Sequence, residues 1–365
     1  MKLTVVLAGM VVMVLTCSTA GADLTPGPGA SAALGGVGAG VGARAMGMGG
    51  AYTALAGDAT ALYWNPAGLS KVNGLDWATS VNAKAEGIDA ADEIKDVYDS
   101  IDDDTIDLDT FESLLDIARR CADKPVWAAA GGISSFAIHN VGVGAFGEVG
   151  VDAVLSYSGD EGAEAVGVTG SAGWWYSAGA GLSRSITPNA TVGIGVRKLW
   201  VGYRASEYTA QRTGPTVLKT TEFDTGTMDD DDFAVDLGFQ FRTPEDLLAG
   251  LMIRNINSPN LFLTDDVGQG VRYEMEPVIN VGLAKQFEDW TFALDVHNLS
   301  NDNKAGISLH LGAEKRFGDW LALRAGLHDD ELGFGLGLNL GAVTLDIAAD
   351  EEFENLAALQ VTLDF

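Results

Sequence analysis

Basic side chains are scarce in this chain: 22 Lys and Arg stand against 51 Asp and Glu, a formal net charge of −29. That balance repels phosphate, so nucleic acid is excluded as a partner. Cysteine is almost absent. Of the two, Cys17 lies in an N-terminal apolar segment, which leaves Cys121 alone in a processed chain; an internal disulfide and a CxxC metal or redox pair are both excluded. The four histidines (139, 297, 310, 328) show no ligand spacing, and HExxH, GxSxG and P-loop motifs are missing. No enzymatic activity, metal or cofactor is expected. Past the N-terminus no apolar run reaches 18 residues, so any membrane crossing must use strands.

What is present is glycine, 47 residues of it, and a positive mean hydropathy of +0.13 despite the charge. High charge and high hydropathy coexist when apolar faces and acidic groups are segregated. Lys2, the apolar run Leu3–Leu15 and Ala20-Gly21-Ala22 predict an export signal over residues 1–22, cleaved before Asp23. Residues 23–73 are rich in Gly and Ala but carry Tyr52, Leu55, Leu62, Tyr63, Trp64 and Leu69, enough apolar surface to pack as a compact segment.

From residue 74 to 365 the pattern has period 2, the strand signature. Trp77, Thr79, Val81 and Ala83 alternate with Asp76, Ser80, Asn82 and Lys84. Val141, Val143, Ala145, Val149, Val151, Ala153 and Leu155 share one face, as do Phe233, Val235, Leu237, Phe239 and Phe241. Leu332 to Leu340 alternates with Gly333, Gly335, Gly337, Asn339 and Gly341. Such segments number about 14, each of roughly 9–12 residues, a length that suits tilted membrane strands. Short connections at 187–189 and 318–319 alternate with long ones at 158–171, 204–231 and 258–276. The expected fold is all-β: a transmembrane antiparallel β-barrel, with Trp77, Tyr176, Trp200, Trp290 and Trp320 in aromatic girdles. A β-sandwich also has one apolar face, but here that face recurs in nearly every segment and the opposite one is often Gly. Within the acidic stretch 86–124, Phe111, Leu114, Leu115 and Ala118 recur at helical spacing and predict a short helix in a loop.

The same phase turns Asp76, Glu148, Asp152, Asp236, Asp295, Glu314, Asp346 and Asp364 inward, with His297, His310 and the counter-charges Arg242 and Arg316. Gly333, Gly335 and Gly337 mark where another backbone can approach the wall. Gly142-x-Gly144-x-x-Gly147 matches a dinucleotide fingerprint but falls inside an alternating strand, which removes its meaning. Asp102–Asp104 and Asp229–Asp232 offer carboxylates without Ca²⁺-loop spacing and read as solvated acidic loops.

Residues 43–69, ARAMGMGGAYTALAGDATALYWNPAGL, carry a resemblance. Arg44 to Tyr52, Asp58-Ala59 and Tyr63 to Leu69 resemble the start of FadL-like outer-membrane proteins, in particular the subgroup with PorV- and PorQ-type and conjugal-transfer-type barrels. The resemblance implies a 14-stranded barrel whose N-terminal segment folds into the lumen as a hatch. Arg44, Gly47, Gly49, Gly50, Asn65, Pro66 and Ala67 are the hatch residues it matches. It implies passive transport of hydrophobic compounds, which FadL itself performs for fatty acids through a lateral opening; the alternative is a PorV-like component of protein secretion or surface assembly. The acidic lumen offers no basic anchor for a fatty-acid carboxylate. The last strand, Ala357 to Phe365, looks like the aromatic terminal strand that barrel-assembly machinery reads. The expected location is therefore the outer membrane of a double-membraned bacterium. Expected partners are outer-membrane lipid, that machinery, a hydrophobic small molecule and, in the alternative, a secretion-system protein.

Overall fold

The computed structural model describes residues 41–87, 108–121, 126–159, 164–213, 217–224, 226–264, 270–301, 306–329, 331–350 and 356–365. The export signal, residues 23–40 and Asp102–Asp104 lie outside the described residues. Seventeen strands occur among the described residues: β1 Leu75–Glu86, β2 Val126–Ile138, β3 Val141–Ser158, β4 Ala165–Thr187, β5 Ala190–Thr213, β6 Val217–Asp224, β7 Met228–Arg242, β8 Leu247–Arg254, β9 Asn260–Thr264, β10 Gly270–Glu274, β11 Val278–Phe287, β12 Trp290–His297, β13 Ser308–Phe317, β14 Leu321–His328, β15 Glu331–Asn339, β16 Val343–Asp350 and β17 Leu356–Asp364.

Fourteen of them close an antiparallel barrel. β1 to β5 pair in sequence, β5 pairs with β7, β7 with β8 and β8 with β11. β11 to β17 follow in order, and β17 returns to β1 with Trp77 opposite Leu363. The other three strands extend one rim: β6 continues the sheet along the end of β5, and β9 and β10 form a hairpin that meets β7 where Asp229 faces Thr264. Two-residue turns at His139-Asn140, Pro188-Asn189 and Glu288-Asp289 lie on the opposite rim, with positive φ at His139 and Glu288 supplying the tight reversal.

Exposure follows the expected phase. Val81, Val141, Val143, Leu182, Ile194 and Val196 are exposed on the outer face, while Ser80, Asn82, Phe146 and Arg197 are buried within. A water-soluble sheet would hide those aliphatic side chains; a membrane barrel presents them to lipid. Trp77 stacks on Phe136 at 5.5 Å near the short-turn rim, where Trp290 and Trp320 also lie. Tyr176 stacks on Trp200 at 5.0 Å. Tyr176 stands roughly 25 Å above that rim, taking ~3.3 Å per residue and a strand tilt near 40°, the height of a barrel's apolar band.

One expectation of strand length needs correction. β3, β4 and β5 run 18, 23 and 24 residues rather than 9–12, and the stretches expected as loops at 158–171, 204–231 and 258–276 are largely strand. Gly167, Gly170, Ser171 and Gly173 erased the alternation there, because both faces of the extension are covered. The cover is the Leu108–Cys121 helix. Phe111, Leu114, Leu115 and Ala118 are buried where the helix packs on β3 and β4, and the outward Val151, Leu155, Val166 and Val168 are buried in turn. β2, β3 and β4 pair without a register shift from end to end, so their wall is unbroken.

Candidate functional site: the filled lumen

Residues 41–74 lie inside the barrel and include a helical turn Ala43–Gly47, another at Ala61–Trp64 and a 3-10 turn Pro66–Lys71. Their backbone comes so close to the wall that the wall is glycine where they touch. Gly142 stands opposite Gly181, Gly193 opposite Gly238, Gly250 opposite Gly282, and Gly312, Gly326 and Gly333 succeed one another across β13, β14 and β15. A side chain at Gly142 or Gly181 would meet Leu69; at Gly193 or Gly238, the Asn65–Ala67 turn; at Gly250, Ala54; at Gly312 or Gly326, Met48 and Gly49. The inner segment answers in kind. A Cβ on Gly47 would stand 2.9 Å from the Gly335 Cα, and Gly49 adopts φ +62, a left-handed conformation that glycine takes without steric cost.

Asn65 binds the segment to itself and to the wall. Its Oδ1 accepts from the Ala67 N–H at 3.1 Å, and Pro66 opens the 3-10 turn without a donor to satisfy. Its Nδ2 donates toward the carbonyls of Thr53 (3.0 Å), Phe239 (3.2 Å) and Leu251 (3.4 Å). Asn65→Ala is expected to lower stability by about 1–3 kcal/mol, the cost of buried groups left unpaired. Asn65→Asp should cost more, because a carboxylate would face three carbonyls with nothing to donate. Denaturant titration of the micelle-folded barrel, followed by Trp fluorescence, checks the order.

The inward acids hold the segment from the other side. Asp295 accepts from the N–H groups of Tyr52 (3.0 Å) and Thr53 (2.7 Å), and Asp76 from that of Ala59 (3.0 Å). Glu314 accepts from Arg44 at 3.3 Å and Arg324 at 2.7 Å; Arg324 also reaches Asp346 at 2.6 Å. Arg197 pairs with Asp236 at 3.0 Å. Arg254 donates to the Tyr63 carbonyl at 2.9 Å and lies over its ring. His310 Nδ1 donates to the Gly49 carbonyl at 2.6 Å, in a stack with His297 and His328 at 3.9 and 4.3 Å.

Of the two expected counter-charges, Arg316 meets an inward acid and Arg242 does not. Arg242 pairs with Asp246 in an exposed turn, Asp364 is exposed, and Arg316 touches Glu314 from a half-exposed position. Arg197 and Arg324 share that work with Arg316, and alternation alone passed over them. Arg324 stands directly opposite Glu314, a pairing visible only once register is fixed. The Asp229–Asp232 run is also not a free loop. Asp230 and Asp232 accept from the N–H groups of Phe262 (2.7 Å) and Asn260 (3.0 Å), and Asp231 pairs with Lys198 at 2.9 Å, so β7 holds β9 by carboxylates. Among the described residues no group of three or more His, Cys, Asp or Glu is placed to hold a metal ion.

Lys71, at the end of the 3-10 turn, donates to the carbonyls of Ala54 (3.3 Å) and Ala56 (3.1 Å). Burial, then the charges of Arg242 and Arg44, push its pKa from 10.5 down to about 8 against the opposing pull of Asp58. Between pH 8 and 10.5 the unfolded chain therefore binds more protons than the folded one. Stability should rise with pH across that window and stay flat just below it. Denaturation midpoints at stepped pH check this, and Lys71→Met should remove the rise.

The molecule is thus a closed fourteen-stranded antiparallel membrane barrel whose lumen is occupied by residues 41–74. The toluene transporter TodX of P. putida shares 14% identity with it, covering 90% of this chain and 99% of that one at a TM-score of 0.58. The toluene transporter TbuX of Ralstonia pickettii shares 12%, covering 90% and 99% at 0.51, and a Pseudomonas aeruginosa FadL homologue 12%, covering 94% and 99% at 0.50. At that identity the likeness is one of fold. The chain belongs to the family described as "F plasmid transfer operon, TraF, protein", whose profile matches residues 62–296, more than half of its length. Comparison with curated proteins finds no match.

Proposed function

We propose that this chain is an outer-membrane channel for small hydrophobic compounds, with residues 41–74 as its hatch, exported by residues 1–22 and assembled through the strand that ends at Phe365. One observation carries the reading: the lumen is polar around much of the inner segment but apolar above it. Tyr63 and Trp64 continue into Phe146, Trp175, Leu199, Val201 and Tyr203 on the wall, then into Leu261 and Leu263 of the β9 strand, with Tyr273 and Met275 packed against them. Such a column suits the partitioning of an apolar solute, and two similarly folded barrels are named toluene transporters. Since the β2–β4 wall is unbroken, release would run past the hatch into the periplasm. Labelled toluene uptake tests this. A strain lacking the protein should take up toluene more slowly, and Val201→Asp should fail to restore it. Equal uptake with and without the protein overturns the reading.

A further inference from the structure

The glycine contacts run from β3 round to β15 and stop there. Across β17, β1 and β2 the inward positions mix apolar Ala78, Ile133, Ala137 and Ala358 with a polar group of Ser80, Asn82, Ser135 and Gln360. Ser80 stands opposite Gln360, Ser135 lies one step away diagonally, and Asn82 is separated from Glu148 only by Gly131. Ser80, Asn82, Ser135 and Gln360 are each more than nine-tenths buried. Among the described residues the Ser80 and Ser135 hydroxyls, both polar atoms of the Asn82 amide and the Gln360 Oε1 have no hydrogen-bond partner, nor has Asp76 Oδ1. Elsewhere the wall bonds the inner segment through Asp295, Gln240 and His310. Here one such bond exists, from the Ala59 N–H to Asp76 Oδ2, and the rest of the inner segment facing the sector is apolar. The Ala43–Gly47 turn, which touches β15, β16, β17 and β1, buries Ala43, Ala45 and Met46, and Gly42 passes over Gln360 Oε1.

Buried polar groups are nearly always paired, and a cluster that is not asks for a partner that comes and goes. We propose that this sector is a permeation seam: a track between the wall and the inner segment for a small hydrogen-bonding solute that is uncharged or cationic. The neutral donors and acceptors exchange hydrogen bonds with the solute as it passes, and the row is rich in acceptor oxygens, Asp76 Oδ1 among them, which admit a cation more readily than an anion. The route is separate from the apolar column, since its lining carries amide, hydroxyl and carboxylate groups. It needs only local parting of alanines from a partly polar wall, whereas the β3–β15 side would have to give up interlocked backbone.

Two measurements on the full-length barrel test it, with K⁺ as the probe. In planar bilayers under a KCl gradient, the protein should conduct with a reversal potential that favours K⁺ over Cl⁻, and Ser80→Leu/Ser135→Leu should reduce conductance at least fivefold. With both native cysteines changed to Ser, Asn82→Cys should react with a cationic methanethiosulfonate at least tenfold faster than Met252→Cys, which is buried beneath the β3–β15 contacts. Labelling keeps the test valid if the leucine variant does not fold. Equal labelling of the two cysteines, or unchanged conductance in a folded leucine variant, overturns the seam.

Discussion

Arg324→Met is expected to lower the stability of the folded barrel by about 3–5 kcal/mol, the range for breaking a buried ion pair from one side. The Arg324 side chain is 4% exposed and bridges two carboxylates that are 1% and 2% exposed. Removing the guanidinium leaves Asp346 with a buried charge and takes from Glu314 its shortest contact, so the loss exceeds that of a single pair made in water. Arg44→Met offers the contrast. Arg44 meets Glu314 at 3.3 Å from a side chain 26% exposed, and Glu314 would keep Arg324 and Arg316. Its loss should cost less than half as much in folding stability. Arg44 belongs to the inner segment, whereas Arg324 and Glu314 are both on the wall. The two variants should therefore differ in kind: Arg324→Met shifts the unfolding midpoint of the whole barrel, and Arg44→Met mainly exposes residues 41–74 to protease. Adding Asp346→Asn to Arg324→Met should recover part of the loss, since the orphaned charge disappears. Full additivity of the two substitutions would count against a shared network.

Much of this was legible in the sequence because a barrel strand states its own phase. Val81 against Ser80 and Asn82 fixes which side of β1 meets lipid without knowledge of its neighbours, and the inward acids follow from the same alternation. Register is a relation between strands, so Arg324 could not be matched to Glu314, nor Arg197 to Asp236, until pairing was known. The extensions of β3 and β4 were missed for another physical reason. Where the Leu108–Cys121 helix covers the outer face, neither face needs to be polar, and the alternation that marks a lipid boundary has no cause to persist. The acidic run at 229–232 misled because carboxylates that accept from the Asn260 and Phe262 N–H groups look, in sequence, like carboxylates that meet water. The inner segment was visible as a motif, but what its glycines oppose was not: Gly47 needs Gly335, and the two are remote in the chain.

That complementarity gives the second large effect. Gly326→Ala is expected to expel the inner segment from its seat, although it adds one methyl group. The new Cβ would collide with the Gly49 nitrogen and the Met48 carbonyl carbon, backbone atoms that cannot rotate away. The segment cannot retreat by itself. Gly49 is held in a left-handed turn, its carbonyl accepts from His310, and a short distance on Asp295 fixes Tyr52 and Thr53. Overpacking a close contact costs about 1–3 kcal/mol when side chains can yield, and here backbone must yield, so the upper end of that range or beyond is expected. Gly195→Ala is the matched control. Gly195 is also an inward glycine of a barrel strand, but its Cβ would find only the Asp236 side chain, at 3.6 Å, an ordinary contact. It should be neutral within about 0.5 kcal/mol, as substitutions that create neither clash nor cavity are. If wall glycines served only to make strands narrow or flexible, the two variants would behave alike. If they are seats for a backbone, Gly326→Ala should speed proteolysis within residues 41–74 at least tenfold while the barrel keeps its heat-modifiable mobility, and Gly195→Ala should leave both unchanged.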